Sequence, residues 1–236
     1  MKMRKQSHQL KNLSVGNHIS IPTGDTRLPV DISIVGRFCK DATKEFISKS
    51  FTQQALHENF VEEFNEPSAM IGKPTFNKSR EEPIDPSAIY TFGIDTRDLV
   101  FHRHEGHRVI IGISGSEGCI LRFSMCTPEE AHKNPLLFFK KMYIVKIPSE
   151  SMFTLRFTGM IYHQFSPVDC KENGFFAVSV HTNEASGLTG EILEKVLIGE
   201  GSIPLLTEPA PASVLELLQK NPEFYEMATL IYLGSD

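Results

Sequence analysis

The sequence predicts a mainly β domain, a barrel or sandwich, with helical additions at its N- and C-terminal ends. Two observations carry this. Residues 90–181 read as many short strands separated by turn signals, a density typical of closed or two-layered β folds. Strong helix start and stop signals fall mostly before and after that stretch. The 236 residues suit one sizeable domain with appendages, and 40% hydrophobic with 22% charged residues is ordinary for a globular protein. With 17 Phe and no Trp, phenylalanine is expected to fill the core. The organisation expected is an N-terminal extension over 1–88 with strands and helices packing on the barrel, a barrel core over 89–185, and a C-terminal helical segment over 186–236.

In chain order, the first dozen residues are expected to fray. Ile19, Ile21, Val30, Ile32 and Ile34 keep an alternating parity on either side of the turn-rich Pro22-Thr23-Gly24-Asp25, which predicts extended chain over 19–35. Asp41 is a candidate cap for a helix through Lys44-Glu45-Phe46-Ile47, and Leu56, Phe60 and Phe64, four apart after Thr52, predict a second helix. Pro67, Pro74, Pro83 and Pro86 mark 65–88 as a loop, linker or flap. The strands expected next are Asp98–His104, His107–Ile113, Cys119–Met125, Met142–Ile147, Phe153–Phe157, Ile161–Phe165 and Phe175–His181. Gly115-Ser116-Glu117-Gly118 reads as a hairpin loop. Thr127-Pro128-Glu129-Glu130 is a capping box with Pro at the first helical position. The tail predicts a helix over Gly190–Leu197 stopped by Gly199, a second opened by the capping box Ser213-Val214-Leu215-Glu216, and a helix or a strand over 223–233.

A formal net charge of −5 argues against a nucleic-acid or anionic-membrane surface. The four cysteines are scattered without a CxxC, which reads as reduced thiols. No apolar run approaches the ~20 residues of a membrane span, and Met1–Leu13 lacks an apolar signal core. A cytoplasmic protein is expected.

The richest stretch is Phe101-His102-Arg103-His104-Glu105-Gly106-His107-Arg108, followed by the apolar run Val109–Ile113 and Gly115. Residues two apart on a strand share a face, so His102 and His104 can aim two imidazoles at one point, as a divalent transition metal requires. This block resembles the first motif of the cupin superfamily: HxH, a short gap, an acidic residue, then six residues and Gly. Here the gap leads to Arg108 in the acidic position, and Gly115 follows at the expected spacing. Phe157-Thr158-Gly159-Met160-Ile161-Tyr162-His163-Gln164-Phe165 is similar to a loose second motif, with Phe157 in place of Pro and Gly159 one residue further from the histidine. The resemblance covers about residues 90–181. It implies a cupin-like double-stranded β-helix barrel and, in members that keep the ligands, a metal inside it.

The metal ligands expected are His102, His104 and His163, with His107 and His181 as further candidates and Glu184 as a weaker carboxylate. Either His107 or Arg108 faces the interior; an inward Arg108 suits a substrate carboxylate. Arg108, Arg156 and Tyr162 are the candidate substrate-binding residues, with Arg122 and Tyr143 also considered; no catalytic residue is assigned. The function expected is a non-haem metal-dependent oxygenase acting on a small polar molecule, an isomerase or lyase being equally compatible. The cofactor is a divalent metal, Fe(II) first and Zn, Mn or Ni otherwise. The alternative is a non-catalytic small-molecule-binding or regulatory cupin. The expected partners are a small-molecule ligand and a second copy in a homodimer, with no nucleic acid and no membrane.

Overall fold

The structure, a computed structural model, describes residues 11–24, 28–63, 65–77, 82–85, 87–95, 98, 100–169 and 171–234. The chain begins with β1 (Lys11–Val15), β2 (His18–Ile21), β3 (Val30–Arg37) and α1 (Lys40–Gln54). It continues through β4 (Phe60–Glu63), β5 (Glu66–Gly72), β6 (Thr75–Asn77) and β7 (Glu82–Asp85). Then follow β8 (Ala88–Ile94), β9 (His102–Arg103), β10 (His107–Ser114) and β11 (Cys119–Ser124). After α2 (Pro128–Lys133) and α3 (Leu136–Lys140) come β12 (Met142–Ile147), β13 (Ser151–Thr158), β14 (Tyr162–Pro167) and β15 (Phe175–Thr182). The tail holds α4 (Gly190–Leu197), α5 (Ile203–Leu206), β16 (Glu208–Pro209), α6 (Ala212–Lys220), a 3₁₀ turn (Pro222–Met227) and β17 (Thr229–Leu233).

Two large sheets form. One has the order β1-β17-β12-β11-β14-β9-β16, the other β2-β3-β13-β10-β15-β8-β5-β4. Within them β12-β11-β14-β9 and β13-β10-β15-β8 make the double-stranded β-helix, or jelly roll, the architecture of cupins. β2, β3, β4 and β5 lengthen the second sheet at both edges, and β1, β16 and β17 lengthen the first.

Strand alternation decides what lies inside. Along β10, Arg108, Ile110, Gly112 and Ser114 are buried, while Val109 and Ile111 are exposed. Ile32, Leu155, Phe153, Phe175 and Ala177 of the second sheet meet Leu121, Phe123, Val145 and Phe165 of the first in one core cluster. Phenylalanine dominates as expected: Phe175 packs edge-on against Phe92 and Phe153 and also meets Phe165, each such side chain contributing about 1.5–3 kcal/mol by its burial. A second cluster lies outside the first sheet, where Phe138 and Phe139 of α3 and Val214 of α6 cover Phe101, Met142 and Tyr162.

Several local expectations change. The second helix predicted after Thr52 does not form: α1 runs to Gln54 and Phe60–Glu63 is a strand, because pairing of Phe60 and Val61 with Ala69 and Ser68 outweighs the four-residue spacing. Asp41 sits in the first turn of α1, not at its cap. The proline-marked 65–88 is not a loop throughout; β5 is buried and hydrogen-bonded to β8, with Pro67 near its start. The expected fraying of the first dozen residues falls largely outside the described residues, as do Asp25, Pro86 and Cys170. Gly115–Gly118 is a tight turn but no hairpin, since β10 and β11 lie in different sheets and the turn carries the chain across. The Thr127–Glu130 capping box forms with both of its hydrogen bonds. Ser213 does not cap α6, which starts after Pro211. The 223–233 segment is a 3₁₀ turn followed by a strand.

That crossing turn leaves no room for a side chain at Gly115, where a Cβ would collide with the carbonyl oxygen of Asn173, while Gly36 faces open space. Gly115→Ala is therefore expected to destabilise by roughly 1–3 kcal/mol in denaturant melts, and Gly36→Ala to stay within about 0.5 kcal/mol. Equal effects would contradict the packing.

Candidate metal centre

The short β9 and the residue that follows it place His102 and His104 on one side of the chain and Arg103 on the other. Arg103 turns outward to a two-pronged ion pair with Glu208, at 2.9 and 2.6 Å, and lies over the Tyr162 ring. β14 runs antiparallel beside β9 with His163 directly opposite His102, a position that brings side chains into contact. The ring centroids of His102, His104 and His163 lie 4.4–5.0 Å apart, and their ligand nitrogens fall within 4.8 Å of one another. The loops that carry them are tied together: Met160 N–H donates to His104 O at 2.8 Å. Gly159 is required there, because a Cβ would strike the carbonyls of Gly106 and His104.

Burial and tautomer suit ligation. All three rings are at most 6% exposed. Burial, with the charge of Arg108 adding to it, holds His102 down at about 4 and His104 and His163 well below the ordinary imidazole range. They are neutral near pH 7, as metal ligands must be. His163 Nδ1 donates to Ile161 O at 2.9 Å and His102 Nδ1 to Val100 O at 3.3 Å. Those bonds leave each Nε2 with its lone pair free, the outer-shell arrangement of metal-ligating histidines.

Behind the triad lies a charged layer. Arg108 is buried and faces inward, which settles the parity of the strand; His107 sits on the opposite face and lines an open pocket of about 450 Å³ with Leu28, Thr158 and Asn183. Arg108 Nη1 donates to Glu105 O at 2.8 Å, and its Nη2 stands 3.9 Å from Glu184 Oε1. Glu184 also accepts from His181 Nδ1 at 2.5 Å and from Tyr90 at 3.3 Å. Burial alone would raise the Glu184 carboxyl, but His181 and Arg108 hold it below the usual range. Burial lowers His181 to about 4. Two further buried acids flank His102: Glu66 of β5, Oε2 3.7 Å from Nε2, and Asp98, Oδ2 3.8 Å from Nδ1. Burial pushes Glu66 up to about 7, and burial with the neighbouring Glu66 pushes Asp98 well up.

The remaining expected residues do not reach this interior. Arg156 is half exposed and pairs with Asp31 on the outer face. Tyr162 is buried, but in the second cluster beneath Phe138. Arg122 donates to Ser166 at 2.8 Å and lies over the Tyr225 ring. Glu66 and Asp98 went unnoticed in the sequence: neither sits in a spaced motif, and only the pairing of β5 with β8 brings Glu66 inside.

The fit to a metal shows in the orphaned atoms. His102 Nε2, His104 Nδ1, both Asp98 carboxylate oxygens, and Arg108 Nε and Nη2 are buried without a hydrogen-bond partner. Such atoms are few in native proteins and point to a bound ion, ligand or water where they gather. Of these residues His104 and Arg108 line a small cavity with Glu66, His163 and His181, with a volume of about 10 Å³, close to the space of one water.

The fold and site together define a jelly-roll barrel with a buried histidine cluster able to hold a metal. No protein-family model and no curated protein matches the chain. Among solved structures it is similar to a cupin-2 domain-containing protein of Halorhodospira halophila, at 11% identity over 71% of this chain and 85% of that one, with a TM-score of 0.36. It is also similar to the Cnp3 cupin domain of Schizosaccharomyces pombe, at 11% identity over 64% and 81%, TM-score 0.31. A cupin-2 domain protein of Rhodospirillum rubrum gives 9% identity over 86% and 91%, TM-score 0.34. The fold assignment rests on the strand order of this chain.

The buried groups set a pH dependence. His102, His104, His163 and His181 bind protons more weakly in the fold than in the unfolded chain. As pH falls through the range from about 6.5 to 4, the unfolded state takes up more protons there and stability drops. Glu66 and Asp98, with raised values, act in the opposite sense, but they are two against four. The metal-free protein is expected to lose thermal stability from pH 7 to pH 4.5; a melting temperature that rises over that range would contradict the burial of these imidazoles.

Proposed function

We propose that this protein is a divalent-metal-binding barrel whose chemistry is of the non-haem oxygenase type, acting on a small polar molecule. His102, His104 and His163 hold the ion, Fe(II) being the first candidate. The observation that supports the reading is the convergence of three buried, neutral imidazoles, two of them oriented by Nδ1 bonds to backbone carbonyls. When bound, the metal supplies Lewis acidity and, as iron, redox chemistry. The chain's own residues exclude water by burying the site among Phe157, Phe165 and Phe92. Arg108, held by Glu105 O and Glu184, keeps a positive charge against the cavity, where it favours an anionic group.

A second reading, a non-catalytic binding or regulatory protein, is favoured by one observation. The motif's acidic position holds Arg108, buried and facing the cavity, a group that binds an anion rather than a cation.

Untagged protein loaded with Fe(II) without oxygen and analysed for metal is expected to bind near-stoichiometric iron. His102→Ala and His163→Ala are expected to lose it with the fold intact by circular dichroism. Oxygen uptake stimulated by small polar acids supports the oxygenase reading, and bound metal without uptake supports the second. Wild-type protein that takes up no divalent metal overturns both as metal proteins.

A further inference from the structure

Resting on the metal-binding reading, we propose that Glu66 of β5 is the anionic ligand of this centre, so that a strand outside the resembled motif completes it. The motif's own acidic position holds Arg108, whose guanidinium is buried and faces the same cavity. A divalent cation buried between three neutral imidazoles and a guanidinium has no compensating charge from those groups, and an uncompensated buried charge is strongly unfavourable. A carboxylate from elsewhere in the fold supplies that charge.

Three buried carboxylates lie near. Glu184 is already engaged, taking hydrogen bonds from His181 and Tyr90 and facing Arg108 at 3.9 Å. Asp98 stands on the Nδ1 side of His102, the side turned to Val100 O. Glu66 makes its closest approach to His102 on the Nε2 side, where the free lone pair points; it lines the cavity with His104 and His163, and with Asp98 it forms a second group of close ligand atoms that shares His102 with the triad.

Its distance fits the role. Oε2 lies 3.7 Å from His102 Nε2, too long for a hydrogen bond. Two atoms that share one metal, each about 2.0–2.2 Å from it, stand roughly 2.8–3.8 Å apart for angles of about 90–120°. The pair is spaced to straddle an ion. The backbone fixes this position: Glu66 pairs with Glu63 of β4, Pro67 follows it, and β5 is hydrogen-bonded to β8 from Ser68 onward.

Co(II) titration of the full-length metal-free chain tests this, because its visible spectrum reports the ligand set and its affinity is read independently of any activity. Glu66→Gln is expected to bind Co(II) at least tenfold more weakly with an altered spectrum, and Glu66→Asp to recover part of the affinity by keeping the carboxylate. Thermal melts of the metal-free variants check folding, and Glu66→Asp keeps the test open should Glu66→Gln fold poorly. Wild-type affinity and spectrum in Glu66→Gln, with binding lost in His163→Ala, overturn the Glu66 assignment and leave the histidine site standing. No Co(II) binding by wild-type protein overturns both.

Discussion

The antiparallel pairing of β9 with β14 sets His102 directly across from His163, and the candidate centre depends on that one register. β9 is only two residues long, so its position is fixed by its neighbours: β14 on one side and β16 on the other, the latter reinforced by the Arg103–Glu208 ion pair. A slip of one residue would turn His102 and His104 outward and bring Arg103 into the interior. The outward ion pair at Arg103 therefore helps to keep the histidines inside. The close approach of Gly159 to Gly106 and His104 performs the same task on the loops.

Given that register, burial does the rest. The core is filled with phenylalanine up to the end where the polar layer begins, and there the low polarity of the surroundings sets the state of every group. It keeps four imidazoles neutral and raises Glu66 and Asp98, while Glu184 is held by His181 and Tyr90 and faces Arg108. Several of the atoms left unsatisfied, on His102, His104, Asp98 and Arg108, belong to this layer. The same desolvation that costs stability in the metal-free protein makes the imidazoles ready ligands, since none has to lose a proton to bind.

Much of the barrel was legible in the sequence because strands leave a local signature: β10, β12, β13 and β15 fall close to the segments their alternation marks. His102 and His104 were legible for the same reason, since HxH on a strand is a statement about one face. Arg108 against His107 was not, because parity alone does not say which face is interior; packing of Ile110 into the core decides it. Glu66 was hidden for a different reason. It lies amid prolines that signal loop, and its inward place comes from the pairing of its strand with β8, which no local pattern encodes. Arg156 lies off the interior because it shares a face of β13 with the half-buried Met152 and Thr154 and pairs there with Asp31, and Tyr162 because of its place on the α3 side of β14.

The central claim is that the barrel presents imidazole lone pairs to one internal point before any metal arrives. Nitrogen-15 NMR of the imidazoles in the metal-free protein tests it most directly. The account predicts that His102 and His163 are neutral Nδ1–H tautomers at pH 6, with unprotonated Nε2. Nε2–H tautomers at these residues, or rings that are largely charged at pH 6, would contradict it.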